Sequence, residues 1–202
     1  MNKLWVFGDS LSVGYNPFNT NGYLYPKSNW WSNILADKLN MECINPSGVG
    51  NSNSQIRQKF YENFGDIQSG DLVIFQFTFR HRIKFEPGNI DLDMMDELIN
   101  PDNILRDEWN QNWNVFYPRI RRWLRERNIN YFFWSSENDI PQMYIDERWI
   151  ESPNGGYGIW ENWLNLDNRL WIENEDGRVD KHFNLYAHTE FAEHIFKKIN
   201  KD

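Results

Sequence analysis

Cysteine is almost missing from the chain: Cys43 stands alone, in the short apolar run at residues 41–44. A single thiol excludes an internal disulfide framework and any multi-cysteine metal site. In that setting it reads as a small buried hydrophobe. Long hydrophobic runs are missing too. No stretch approaches the roughly 18 apolar residues of a membrane span. The apolar run near the N-terminus, residues 4–7, is too short for the core of a secretion signal. The expectation is a chain with no membrane span, cytoplasmic by default unless exported by a route the sequence does not display. Basic residues fall short of acidic ones, 21 Lys+Arg against 29 Asp+Glu, for a net charge of −8. Such a chain lacks the electropositive surface that nucleic acid or an anionic membrane requires. No nucleic-acid partner is expected, and neutral substrates, sugars and esters among them, stay open.

Aromatic residues are plentiful, 17% of 202 residues with 11 Trp. That excludes disorder as the main state, because disordered chains are poor in aromatics. The length suits a single domain, residues 1–202, able to bury roughly 70% of its unfolded surface without a disulfide or metal.

Largely apolar runs at 4–7, 41–44, 72–77 and 131–134 read as buried strands. Between them, apolar residues at helical spacing predict helices over 29–39 (Trp30, Trp31, Ile34, Leu35, Leu39), 53–64 (Ile56, Phe60, Phe64), 109–127 (Trp113, Phe116, Ile120, Trp123, Leu124) and 185–200. Pro118 kinks the third of these or marks its true start. Residues 84–107 are polar, with Pro87, Gly88 and Pro101, and read as an insertion or long loop. Residues 138–178 read as long and irregular. Strands that alternate with helices, and are largely apolar, suit a parallel sheet covered on both faces. Sites on such sheets form at the carboxyl ends of the strands. Ser10, Gly50, Thr78 and Ser136 all follow predicted strands, which points to one rim.

Gly8-Asp9-Ser10-Leu11 ends the first strand. Ser10 there is either a helix cap or a nucleophile if a base lies near. A phosphate loop fits poorly, since Gly8 and Gly14 are one residue too far apart and no Lys-Ser/Thr follows. At the far end, Asp180-Lys181-His182 precedes the last helix. His182 is a candidate base, with Asp180 to fix its tautomer if the loop turns back; alternatively Asp180 or Asn184 caps the helix. His188 and His194 fall within that helix without a metal-binding spacing. Trp30 and Trp31 are adjacent, so both are not expected to face inward. Tryptophans between 149 and 171 either pack on the sheet or form an aromatic rim able to stack on sugar rings.

Taken together, four blocks resemble the SGNH/GDSL hydrolase family over almost the whole chain: GDSL at 8–11, Asn45-Pro46-Ser47-Gly48-Val49-Gly50 after the second strand, the end of the third strand, and Asp-x-His before the last helix, followed by Ala187-His188 and Ala192. The resemblance implies a flavodoxin-like three-layer α/β/α sandwich on a mostly parallel five-stranded sheet, and acyl-ester hydrolysis with no metal or cofactor. It makes Ser10 the nucleophile, His182 the base and the main chain of Ser10 and Gly50 the oxyanion hole. Two blocks depart from the family. The third normally reads Gly-x-Asn-Asp; here Thr78 holds the Asn position, with Gln76 or an arginine, Arg80 or Arg82, as substitute donor. Thr78 with Arg82 resembles a divergent branch of viral and environmental sequences. The acid usually lies three residues before the histidine, where Val179 stands; Asp180 is preferred to Asp176. Asp9, Asn51 and Arg82 are expected to contact substrate. The expected activity is a serine esterase acting on a small acyl ester, such as an acetyl group on a carbohydrate. The alternatives are a glycan-binding module on the same fold, or an acyltransferase. The sequence leaves the oligomeric state open.

Overall fold

The computed structural model describes residues 1–19, 23–79 and 109–201. The predicted insertion at 84–107, and with it Arg80, His81 and Arg82, lies outside the described residues. Four strands form the central sheet: β1 (Lys3–Phe7), β2 (Glu42–Ile44), β3 (Leu72–Phe77) and β4 (Asn130–Ser135). Their order is β2-β1-β3-β4 and every neighbouring pair is parallel. The sheet therefore has four parallel strands among the described residues, not five. Two further strands, β5 (Trp171–Glu173) and β6 (Val179–Phe183), pair antiparallel as a separate ribbon.

The apolar runs are continuous because each strand feeds two cores. Side chains alternate across a strand, so Leu4, Val6, Leu72, Ile74, Phe132 and Trp134 pack on one face of the sheet. Trp5, Phe7, Val73, Phe75, Tyr131 and Phe133 pack on the other. Helices α1 (Trp31–Leu39) and the C-terminal α5 (Leu185–Ile199) cover the first face through Trp31, Leu35, Phe191 and Ile195. Helices α2 (Asn53–Asn63) and α3 (Tyr117–Glu126) cover the second through Ile56, Phe60, Ile120 and Leu124. The result is three layers, α/β/α.

Pro118 marks the start of the α-helical part of the predicted third helix, the second of the two readings. It sits in the first turn of α3, directly after a π-helical stretch, Gln111–Phe116. Proline has no N–H to give an α-helical bond, and a first-turn position asks for none. The adjacent Trp30 and Trp31 are both buried, against expectation. Trp30 is still extended (φ −76°, ψ 140°) while Trp31 opens α1, so the backbone turns between them. The Trp30 indole donates to Tyr25 O at 2.9 Å and the Trp31 indole to Leu11 O at 3.0 Å. The irregular region 138–178 contains short turns, one helical turn α4 (Ile159–Asn162) and strand β5. Asp180-Lys181-His182, expected in a loop, lies on β6.

α1 has no side-chain cap of its own. His188, on α5, supplies one from across the chain: its Nδ1 accepts the Trp31 N–H at 3.2 Å. The imidazole is fully buried, edge-on to Phe183 and Tyr25, and its Nε2 has no partner among the described residues. Burial, with a smaller contribution from His182, pushes its pKa from 6.5 down to about 3. A depressed histidine pKa means the unfolded chain binds the proton first. The stability it contributes is full above about pH 6.5 and is lost as pH falls toward 3. Urea titrations at stepped pH check this: His188→Asn, which keeps an acceptor for Trp31, is predicted to reduce the loss of stability below pH 6.5 by up to about 1.4 kcal/mol per pH unit. Parallel curves for the two proteins would contradict it.

Candidate active site

In strand order β2-β1-β3-β4, the connection from β1 runs to one side and the return to β3 to the other. The switch point lies between β1 and β3, where ligand crevices form in open α/β sheets. The chain leaves β1 through Gly8, where any Cβ would collide with the side chains of Ser12 and Gln76. Asp9 then makes a tight turn: its Oδ1 accepts the Leu11 N–H at 2.8 Å and its carbonyl accepts the Ser12 N–H at 3.0 Å. Asp9, not Ser10, ties down the turn, so the Ser10 hydroxyl is left for another partner.

That partner is His182, whose Nε2 is 2.9 Å from Ser10 Oγ. Its Nδ1 bonds Asp180 Oδ1, which also accepts the His182 main-chain N–H at 3.0 Å. The tautomer with its proton on Nδ1 satisfies both contacts, with Ser10 donating to Nε2. Strand geometry explains the two-residue spacing: residues i and i+2 point to the same face, so Asp180 and His182 stand side by side on β6. Asp176 is outside this arrangement. It is exposed in the β5–β6 turn with Arg178, where Gly177 takes the left-handed conformation the turn requires. The cap on α5 is Asn184, whose Oδ1 accepts the Ala187 N–H at 2.9 Å. Asp180 therefore contacts His182, and the helix is capped by a different residue.

Gly50 lies in a turn closed by Asn51 N–H to Gly48 O at 3.2 Å, with φ +74°. The turn is fixed beside β1 by Asn51 Nδ2 to Gly8 O at 3.1 Å and Gly48 N–H to Gly8 O at 3.4 Å. Asn51, expected to bind substrate, gives one amide proton to this main-chain anchor.

Gln76, Thr78 and Asp9 correct the sequence reading. Gln76 is fully buried. Its Oε1 accepts the Asp9 N–H at 3.0 Å and the Ser12 hydroxyl at 2.6 Å; its Nε2 donates to Asp9 Oδ1 at 2.6 Å and Ser136 Oγ at 3.1 Å. Both amide protons are taken, so none is left for an oxyanion. The single hydroxyl proton of Thr78 goes to Asp9 Oδ2. Asp9 is itself fully buried and holds these groups together instead of meeting substrate. Sequence reasoning missed Asn53, whose side chain clasps both main-chain groups of Thr78, at 2.9 Å and 3.1 Å. It also missed Ser12 as a partner of Gln76. A polar residue in the otherwise apolar strand LVIFQF was the available signal.

A cleft of about 380 Å³ opens beside the histidine, lined by Leu11, Phe79, Glu137, Trp160, Asp180, Lys181 and His182. Phe79 and Trp160 meet edge to face, with centroids 5.4 Å apart. Lys181 lies over the Trp171 ring at 4.8 Å and donates to Asn165 Oδ1 at 2.7 Å. A larger groove of about 660 Å³ lies at the opposite end of the sheet, around Asn2, Asn40 and Asn130; no nucleophile–base pair lines it. Among the described residues, no three His, Cys, Asp or Glu side chains converge as a metal site would need, and no helix is long and apolar enough to cross a membrane.

No family model and no curated protein sequence matches the chain. Solved structures resemble it along its whole length. A carbohydrate esterase whose active site is described as displaying divergent catalytic and non-catalytic binding functions is 9% identical, with 100% of this chain and 65% of that one covered and a TM-score of 0.54. A Bacillus subtilis protein is 13% identical, with 99% and 56% covered and a TM-score of 0.52. This chain thus spans about two thirds or less of those two. Est24, a carbohydrate acetylesterase from Sinorhizobium meliloti, is 14% identical, with 100% and 99% covered and a TM-score of 0.46. The fold is that of the SGNH/GDSL hydrolases, as the sequence blocks imply.

Gln76→Leu leaves the Ser12 and Ser136 hydroxyls and the Asp9 N–H and carboxylate short of partners in a buried position. The expected loss of stability is about 2–4 kcal/mol, read from urea denaturation. A donor aimed into open solvent would instead be replaced at a cost under about 0.5 kcal/mol.

Proposed function

We propose that the protein is a serine esterase that hydrolyses a small acyl ester carried on a sugar. The observation that carries the reading is the hydrogen-bonded chain Ser10–His182–Asp180 at the switch point of the sheet, with His182 Nε2 2.9 Å from Ser10 Oγ. In this mechanism His182 takes the Ser10 proton as Oγ attacks the ester carbonyl. The developing oxyanion is met by the main-chain N–H groups of Ser10 and Gly50. His182 then gives its proton to the departing alcohol, leaving an acyl-serine. Water, deprotonated by His182, attacks the acyl carbon, and the serine regains its proton as the acid leaves. Asp180 keeps the imidazole in the productive tautomer and offsets its charge when protonated.

The cleft supports the sugar. Phe79 and half-buried Trp160 give it aromatic walls, and Glu137 and Lys181 place polar groups beside them. Pyranose rings stack on aromatic faces through their C–H groups, while a carboxylate and an ammonium can bond hydroxyls. About 380 Å³ is at the small end of ligand sites, in keeping with a short acyl chain. A glycan-binding module is the second reading, favoured by one observation. The side-chain donors expected at the third strand, Gln76 and Thr78, are spent inside the protein, and losing one oxyanion donor costs about 10²–10³ in rate.

Hydrolysis of p-nitrophenyl acetate and butyrate separates the two. The esterase turns over acetate faster than butyrate, and Ser10→Ala, still folded by circular dichroism, does not. Asp180→Asn lowers kcat by about 10²–10⁴-fold, while Asp176→Asn stays within about twofold. Trp160→Ala raises KM for an acetylated sugar by about 2–10-fold and leaves p-nitrophenyl acetate nearly unaffected. Background rates in the folded wild type, with retained glycan affinity, would move the reading to the binding module.

A further inference from the structure

We infer that Tyr15 is a positioning residue for the base, a ring that holds the His182 imidazole in line between Ser10 and Asp180. The inference rests on the esterase reading for its kinetic consequence, though not for its geometry. The two hydrogen bonds of the imidazole, to Ser10 at Nε2 and Asp180 at Nδ1, lie in the ring plane. They leave tilt and translation perpendicular to that plane unrestrained. His182 also stands on a two-stranded ribbon outside the main sheet, and 22% of its side chain is open to solvent. A base mounted in this way needs a wall against its ring.

Tyr15 provides one. Its ring centroid lies 4.7 Å from that of His182, with the planes at 67°. Tyr15 is firmly mounted. Its N–H bonds Val13 O at 2.7 Å, and the residue forms an antiparallel bridge with Leu24. On either side, Asn16 N–H bonds Tyr23 O at 2.8 Å and Tyr25 N–H bonds Gly14 O at 2.6 Å. The Trp30 indole bonds the Tyr25 carbonyl at 2.9 Å and lies where a Cβ on Gly14 would be. Gly14 thus lets the buried Trp30 pack directly beneath the segment that carries Tyr15. The same short stretch, residues 9–15, delivers the nucleophile and the wall, while the base arrives from the other end of the chain. Its placement relative to Ser10 is set locally.

Three variants test this: Tyr15→Phe, Tyr15→Leu and Tyr15→Ala, each with its melting temperature measured. Kinetics on p-nitrophenyl acetate are expected to show Tyr15→Phe within about twofold of wild type. Tyr15→Ala and Tyr15→Leu should lose about 10–100-fold in kcat, the cost of a base displaced by a fraction of an ångström, with KM within about threefold. Proton NMR supplies a readout independent of turnover. The low-field Nδ1 proton of His182, bonded to Asp180, should stay sharp in wild type and Tyr15→Phe and broaden in Tyr15→Ala. If the wild type lacks esterase activity, this signal still decides the positioning role, so the two readings fail separately. Four outcomes overturn the inference: unchanged kcat in an active Tyr15→Ala, an equally sharp Nδ1 proton in it, a change in KM alone (which makes Tyr15 a substrate contact), or equal losses in Tyr15→Phe and Tyr15→Ala (which assign the effect to the hydroxyl).

Discussion

A glutamine side chain buried at the end of an apolar strand ties the carboxyl ends of three strands together. Through its one amide, Gln76 holds the β1 turn at Asp9 and Ser12 and the start of the β4 loop at Ser136. Thr78 adds a second hold on Asp9, and Asn53 fixes Thr78 in turn. Buried polar groups are costly unless satisfied, and a satisfied network therefore specifies one arrangement. The arrangement here fixes the turn that presents Ser10. Because Asp9 makes the turn's own hydrogen bonds, the serine hydroxyl is free to meet the histidine.

The base reaches the site by a different physical route. A parallel sheet brings its carboxyl ends to one edge, but the sheet does not carry His182. The β5–β6 ribbon does, and its extended backbone puts Asp180 and His182 on one face without any loop having to turn back. α5 follows at once, capped by Asn184, and packs on α1 and the sheet through Phe191 and Ile195. His188 on the same helix closes the start of α1. The ribbon is thereby tied to the core at its C-terminal side, and the segment that holds Ser10 fences it through Tyr15.

Much of the frame was legible in the sequence because it depends on period and composition. Runs such as 72–77 read as strands covered on both faces, and the apolar spacings of α2 and α5 placed them within a residue or two. The order of the blocks brought Ser10, His182 and Asp180 to notice, and the three side chains are hydrogen-bonded in series. Most of the errors share a cause, since they needed knowledge of what lies across a gap in sequence. A three-residue strand such as Trp171–Glu173 carries too little periodicity to be seen, so its partner was read as loop. Gln76 and Thr78 have the chemistry of oxyanion donors, and only the placement of Asp9 shows their protons to be committed. Trp30 and Trp31 looked incompatible as neighbours because the change from extended to helical backbone between them leaves no mark in residue type.

A serine activated by this fold is detectable by chemical labelling. A fluorophosphonate probe reacts with a serine whose proton a base removes, and mass spectrometry locates the adduct. A single adduct is expected, on the peptide that contains Ser10, with labelling slowed at least about 100-fold in folded His182→Ala. Labelling of the two proteins at equal rates, or none in the folded wild type, would contradict the activation of Ser10 by His182.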